Sequence, residues 1–288
     1  MPTYNGSKTI ALAIRSVLEQ SCTDFELLVL DDRSPDGTAD IVRAMTDPRI
    51  RLVIANAHKG LAGQLNDGID LARGRYLARC DQDDVLYPER LQRQVDFLEA
   101  HPETDLVSCK VLVFDSEGRA RGLLPFRETH SEITARPWAT FYLPHPTWMG
   151  RIEWFRRYRY HMPEVIRGED QELLLRSYPH SRFAALPEIL FGYRQERFSL
   201  KKTLQTRRNL AVAHVRAHLA AGRYRYAVLA PCYGLLKAAL DIIASLPGLD
   251  WIFFRRMSLP CQDADIAAWQ RLWAHYHAAT AIPPGGTQ

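Results

Sequence analysis

The stretch Tyr76-Leu-Ala-Arg-Cys-Asp-Gln-Asp-Asp84 decides the fold. A short apolar run, read as a β-strand, ends abruptly in three carboxylates within four residues. The same pattern occurs upstream, where Phe25-Glu-Leu-Leu-Val-Leu30 runs into Asp31-Asp32 and the turn Arg33-Ser-Pro-Asp-Gly37. Near-continuous apolar runs of this length suit buried parallel strands. Helical periodicity fills the intervals. One helix is expected over 7–21, capped by Ser7 and with Ile10, Ile14, Val17 and Leu18 on one face. A short one opens near Asp36 or Thr38, and another runs from Leu61 to Arg73. A fourth starts near Pro88 and stops before His101. Further strands are expected at Arg51–Ile54 and Leu106–Phe114. Short strands alternating with helices predict a doubly wound α/β domain. Its ligands should bind beyond the carboxyl ends of the strands, where both acidic clusters lie on one rim.

Asp81, Asp83 and Asp84 repel one another unless a cation or hydrogen-bond donors hold them. Oxygen donors at this density suit a hard divalent ion, Mn²⁺ or Mg²⁺, often shared with substrate phosphates. An isolated Asp-x-Asp is more often a solvated turn. The strand before it and the second cluster at Asp31/Asp32 favour the metal reading.

The 288 residues carry 37 Lys plus Arg against 33 Asp plus Glu, a net charge of +4. With 47% hydrophobic and 24% charged residues, a disordered chain is excluded. The small positive excess does not point to nucleic acid and is compatible with an anionic substrate or membrane surface. Five widely spaced cysteines without a Cys-x-x-Cys pair argue against a disulfide scaffold or structural zinc, and for a reducing, cytoplasmic compartment. The opening Met-Pro-Thr-Tyr-Asn5 is not a secretory signal. No Gly-x-x-x-x-Gly-Lys-Ser/Thr loop is present, which excludes a P-loop NTPase.

Beyond residue 119 the periodicity weakens. Residues 136–160, rich in Trp, Tyr, Pro and Arg, read as an irregular binding region, with His145 and Trp148 as a platform on which a ligand could stack. Gly168-Glu-Asp170 opens a helix. Residues 205–245 read as helical and increasingly apolar. The apolar stretch 226–254 is interrupted by Pro231, Lys237, Asp241, Pro247 and Asp250. Its run from Ala238 to Leu246 is too short to span a bilayer, which needs about 20 apolar residues. Arg223, Arg225, Arg255 and Arg256 flank it. Both an interfacial membrane attachment and a helical hairpin packed on the body fit this pattern.

Five stretches occur in an order that resembles family 2 glycosyltransferases of the GT-A fold. They are Pro2-Thr-Tyr-Asn5, Phe25–Asp32 with Ser34, Asn66-Asp-Gly-Ile69 with Gly74-Arg-Tyr76, Asp81–Asp84 with Pro88 and Arg90-Leu91, and Gly168-Glu-Asp170. The likeness is good over 2–115 and patchier to about 200. It implies a Rossmann-like mixed sheet with helices on both faces. It also implies inverting sugar transfer from a nucleoside-diphosphate sugar, a UDP-sugar foremost. The acceptor would be a glycan or lipid-linked hydroxyl in cell-surface polysaccharide biosynthesis, with peripheral contact at the inner face of the membrane. Residue by residue, Pro2, Thr3 and Tyr4 would line the base pocket and Asp32 would accept a hydrogen bond from the base. Lys59 and Arg194 would reach the diphosphate. Asp81 and Asp83, supported by Asp84, would hold the metal. Asp170 would be the general base, with Glu169 its neighbour. With a sugar as acceptor, His145 and Trp148 are its candidate platform.

The resemblance divides the chain into a catalytic domain over 1–200 (donor half 1–115, acceptor half 116–200) and a helical region over 201–288. Two departures stand out. The family places an apolar strand ahead of Pro2-Thr-Tyr-Asn5, where this chain has Met1 alone, so the first strand is expected to be missing or the start to lie upstream. After Tyr193-Arg194, where the family often has a histidine, the chain reads Gln195-Glu-Arg197. Rival readings are an inactive nucleotide-sugar-binding scaffold and a sugar nucleotidyltransferase. The latter wants a Gly-rich basic loop near the amino terminus, which is not seen.

Overall fold

The computed structural model describes residues 1–162, 167–195, 199–246, 248–249 and 259–278. Three parallel strands form one sheet in the order β1 (Pro2–Thr3), β2 (Leu27–Asp31), β3 (Ile50–Ile54). A six-stranded mixed sheet contains β4 (Tyr76–Ala78), β5 (Val85–Leu86), β6 (Leu106–Phe114), β7 (Ala120–Leu123), β8 (Met149–Arg151) and β9 (Phe183–Arg194). Its order is β4-β8-β6-β9-β5, with β7 on β6. Only β6 and β9 are parallel there. The third strand read from sequence therefore does not extend the first sheet. It pairs antiparallel with β8, a partner more than 70 residues away that no local pattern identifies.

Helices α1 (Ile10–Leu18), α2 (Thr38–Arg43), α3 (Gly60–Leu71) and α4 (Arg90–Ala100) fall where periodicity placed them. Ser7 does not cap α1; its N–H donates to Asp36 Oδ2 at 3.0 Å, tying α1 to the turn before α2. The chain carries two residues of the first strand, Pro2–Thr3, paired parallel with Leu30–Asp31: Met1 O accepts from Leu30 N at 2.9 Å and Thr3 O from Asp32 N at 2.9 Å.

Much of the aromatic segment 136–160 is core, while residues 140–144 also line the main cleft. Phe141, Leu143, Trp148, Trp154, Phe155 and Tyr160 are buried against Leu65 and Ile69 of α3 and Leu173–Leu175 of α7 (Glu169–Ser177). Its order comes from β8, α6 (Ile152–Arg157) and a 3₁₀ turn at His145–Thr147, preceded by the short α5 (His130–Ile133). Alternation fails as a signal there because both sides of the segment are covered.

The carboxyl-terminal region packs on the body. Helices α8 (Leu200–Ala220) and α9 (Tyr224–Ala244) form a hairpin, and α10 (Asp263–Ala278) lies on the six-stranded sheet. Trp269 is fully buried with Phe114, Leu112, Leu12 and Tyr276, and its Nε1 donates to Gly118 O at 2.7 Å. At Gly192 an added Cβ would come within 2.4 Å of the Trp269 ring, so glycine permits this approach.

Trp269→Ala should destabilise the fold by about 3–5 kcal/mol, the range for emptying a large aromatic site. Urea denaturation should show the lower midpoint, and Trp269→Phe should recover part of the loss.

Candidate active site

The turn after β4 is built around Arg79. Its N–H donates to Trp148 O at 2.8 Å, and its carbonyl accepts from the buried Arg90 at 2.7 Å. This fixes the backbone from which the guanidinium grips Asp81 through both oxygens, at 2.8 and 2.9 Å. Asp81, Asp83 and Asp84 each bring a carboxylate oxygen within 4.8 Å of the others. Asp84 is fully buried; its Oδ1 accepts from Arg194 N at 2.9 Å, while Oδ2 has no hydrogen-bond partner among the described residues. Burial raises its pKa well above the carboxylate range, and Asp83 and Asp81 push it further. An orphaned buried carboxylate oxygen beside two other carboxylates is what a divalent cation would satisfy, so the residues fit such an ion. Arg194 Nε donates to Asp83 O at 2.9 Å, and its guanidinium lies 4.8 Å from the Phe114 ring centre. Arg194 therefore braces the acidic turn.

Gln82, which the sequence reading passed over, joins the two sheets at this rim. Its Oε1 accepts from Tyr4 N at 2.8 Å and from the Thr3 hydroxyl, and its Nε2 donates to Tyr4 O at 3.0 Å. A side-chain amide can mimic a peptide group, and this one supplies a bridge between β1 and the acidic turn. Pro2 and Thr3 are buried, and Tyr4 is 45% exposed with its ring 4.7 Å from that of His58.

Asp32 departs from expectation. Its buried carboxylate takes Lys59 N at 2.8 Å, Gly60 N at 2.7 Å, Gln64 Nε2 at 2.8 Å and His58 Nδ1 at 2.9 Å. With four donors from its own chain, it anchors the start of α3. A bond to a nucleotide base would require residues 58–60 to withdraw. Lys59 Nζ is 2.6 Å from Asp67 and lines the main cleft. The acceptor platform is corrected outright: Trp148 is 0% exposed and donates to Leu143 O at 3.0 Å, leaving no face for a sugar. His145 is buried against Tyr160, Nε2 to hydroxyl 2.7 Å, and burial and the Arg79 charge keep its pKa well below the usual value.

Gly168, at φ +80°, turns the chain so that Glu169 and Asp170 occupy the first turn of α7. Both are partly buried and line a cleft of about 1210 Å³. Burial, then the Asp170 charge, raises Glu169 to about 7. Burial also raises Asp170, against hydrogen bonds from Gln171. Asp81 pushes Glu169 up and Arg79 pulls both acids down, so the residues near 81 and near 169 share one electrostatic neighbourhood. The cleft's far wall comes from α8 and α9, through Thr206, Arg207, Tyr233, Lys237 and Asp241, which no sequence motif indicated. Glu196 and Arg197 of the departing segment lie outside the described residues.

An α/β fold whose strand end carries a carboxylate cluster able to hold a metal ion, in the same electrostatic neighbourhood as a partly buried acidic pair, defines the candidate site. The model for glycosyl transferase family 2 matches residues 1–159, and the chain belongs to this family of glycosyltransferases. EpsE of Bacillus subtilis (strain 168) is 35% identical over 210 residues, which take in 70% of this chain and 74% of EpsE. WfgD of Escherichia coli, a UDP-Glc:α-D-GlcNAc-diphosphoundecaprenol β-1,3-glucosyltransferase, is 40% identical over 98 residues. That match takes in 34% of this chain and 39% of WfgD. Among solved structures, the mannosyltransferase PcManGT of Pyrobaculum calidifontis with GDP-Man and Mn²⁺ gives a TM-score of 0.60 at 22% identity. The superposition covers 96% of this chain and 84% of that one and establishes the shared GT-A fold.

The raised pKa of Glu169 has a defined sign. A folded-state value near 7 lies above the ordinary 4.5, so Glu169 costs stability as pH rises from about 4.5 through about 7. In metal-free buffer, Glu169→Gln should therefore gain stability relative to wild type between pH 5 and pH 8. The gain should be on the order of 1–3 kcal/mol. Chemical denaturation of both proteins at the two pH values measures it.

Proposed function

We propose that this glycosyltransferase moves a sugar, with inversion, from a nucleoside-diphosphate donor to a hydroxyl of a lipid-linked or growing glycan. Its place would be cell-surface polysaccharide biosynthesis at the cytoplasmic face of a membrane. The observation that carries this reading is that two acidic groups, Asp81–Asp84 and Glu169 with Asp170, feel the same Arg79 charge and share one electrostatic neighbourhood. The donor is taken as a UDP-sugar, supported by the name of WfgD; its lipid diphosphate acceptor supports the acceptor class.

In this reading Pro2, Thr3 and Tyr4 border the base and Lys59 approaches the diphosphate. Asp83 and Asp81, backed by Asp84, would hold Mn²⁺ or Mg²⁺; such an ion, when bound, would supply positive charge against that developing on the leaving nucleoside diphosphate. PcManGT carries Mn²⁺ with its GDP-Man, in keeping with this assignment. Asp170 takes the proton of the acceptor hydroxyl as its oxygen bonds to the anomeric carbon and the diphosphate departs with the electron pair of the old bond. One base and no enzyme nucleophile suffice. Glu169, titrating near 7, shapes the field around Asp170. Residues 1–115 would form the donor half, 116–200 the acceptor half, and 201–288 a wall of the acceptor cleft.

Asp170→Asn should cut transfer by about 10²–10⁴, the usual cost of a lost general base, with donor affinity and melting temperature nearly unchanged. Activity retained in a destabilised Asp170→Ala variant would make Asp170 a helix-start residue instead. Asp83→Asn should abolish metal-dependent donor binding, read by thermal shift with a UDP-sugar and Mn²⁺. Wild-type activity undiminished in EDTA would remove the metal.

A further inference from the structure

Helix α9 has two faces of opposite character. Toward the body, Ala227, Ala230, Asp241 and Ala244 are buried, and Tyr233, Lys237 and Asp241 line the acceptor cleft. Arg207 Nε of α8 lies 3.0 Å from Asp241, and the Trp138 ring stands edge-on to Tyr233 at 5.4 Å. Away from the body, Tyr224, Val228, Leu229, Leu235, Leu236, Ile242, Ile243 and Leu246 are exposed, Leu235 by 72% and Val228 by 63%. At 100° per residue they fall on one continuous arc, in which Arg225 is the single charged position. Monomeric soluble proteins rarely leave so long an apolar face to water.

The charge around this face identifies what covers it. From residue 200 to 240 there are eight Lys and Arg residues and no Asp or Glu. Lys201, Lys202, Arg208 and Arg216 of α8 and Arg225 of α9 are exposed. The chain's +4 thus conceals a strongly basic hairpin beside an acidic active site. A second copy would set like charges against each other. A nucleic acid would use the basic side chains and leave the apolar arc wet. A bilayer containing anionic phospholipids satisfies both features.

We infer that the α8–α9 hairpin is a membrane-docking surface that lies in the headgroup region of an anionic bilayer. The apolar arc of α9 faces the acyl chains and the α8 cations face lipid phosphates. By length and composition α9 is also long and apolar enough to cross a membrane. Its inner face argues for lying flat: Asp241 and Lys237 belong to the catalytic cleft, and spanning would strip them from it. In the flat orientation the wall that borders Glu169 and Asp170 sits at the lipid surface, where a lipid-linked acceptor presents its sugar. The docking rests on α8 and α9 alone and requires no sugar transfer.

The test is cosedimentation of the full chain with phosphatidylcholine vesicles, with and without about a quarter phosphatidylglycerol. The chain should bind the anionic vesicles at least tenfold better, and raising salt from ~0.1 to ~0.5 M should weaken binding. Leu235→Gln with Leu246→Gln removes exposed apolar surface without changing the charge. It should abolish binding with an unchanged circular dichroism spectrum and melting temperature. Charge reversal at Lys201, Lys202, Arg208 and Arg216 should lose the anionic preference through a separate set of residues. Binding indifferent to the Leu235/Leu246 pair, a dimer by light scattering that the same pair dissolves, or resistance to alkaline carbonate extraction would each overturn flat docking. Because the vesicles carry no nucleotide sugar, the result stands apart from the transfer assays.

Discussion

The guanidinium of Arg79 is the charge around which the site's acids are arranged. It is 5% exposed, holds both oxygens of Asp81, and lowers the pKa of Asp84, Glu169 and Asp170 through space. One cation cannot balance five carboxylates in a partly buried rim. The residual strain is visible in the raised values of Asp84, Glu169 and Asp170, each driven first by burial. Such a site is built to gain a further positive charge. A divalent ion at Asp81–Asp84 would supply it and would lower the affinity of Glu169 for its proton from the same position. Metal occupancy and the protonation state near the base are therefore coupled by electrostatics alone.

The backbone that presents Arg79 is secured by groups with few alternatives. Arg90 is fully buried and reaches the Arg79 carbonyl and Gln94 Oε1; Gln94 in turn donates to Val107 O and Thr147 O. These bonds tie α4, β6 and the 3₁₀ turn before β8 to the end of β4. On the other flank, Asn66 exchanges hydrogen bonds with the backbone of Tyr160, at 2.9 and 3.1 Å, and so joins α3 to the aromatic core. Asn66 and Arg90, which entered the argument as parts of a family pattern, have structural work that explains their residue types.

The acidic strand ends were legible in sequence because an apolar run stopping in carboxylates is a local signal with a physical meaning. The helices of the first hundred residues were legible for the same reason. Three things were not. The division into two sheets depends on β4 pairing with Met149–Arg151, a long-range choice invisible to periodicity. The aromatic segment 136–160 read as a binding surface because its tryptophans and prolines break every regular pattern; residues 140–144 do line the cleft, while Trp148, Trp154 and Phe155 are core. Gln82 was read as a spacer between aspartates, whereas its amide joins the sheets. Asp32 was found at the expected rim, but its four hydrogen-bond donors come from a segment 26 to 32 residues away. Arg255 and Arg256, once counted as flanks of the apolar stretch, lie outside the described residues.

The interruptions of that apolar stretch carry a further lesson. Lys237 and Asp241 weaken a linear hydropathy reading of residues 226–254, and on that reading the segment is neither a good span nor a clear surface helix. Wound at 3.6 residues per turn, Tyr233, Lys237 and Asp241 stack on one side, and Arg225 is the one charge left on the opposite arc. The polar residues then belong to the cleft and the apolar ones to the outside, the reverse of a soluble helix. An outer face of this kind gains free energy when it meets something less polar than water. The basic residues concentrated on α8 set the sign of that environment's surface. The near-neutral total charge thus conceals a basic hairpin beside the carboxylates of the candidate site.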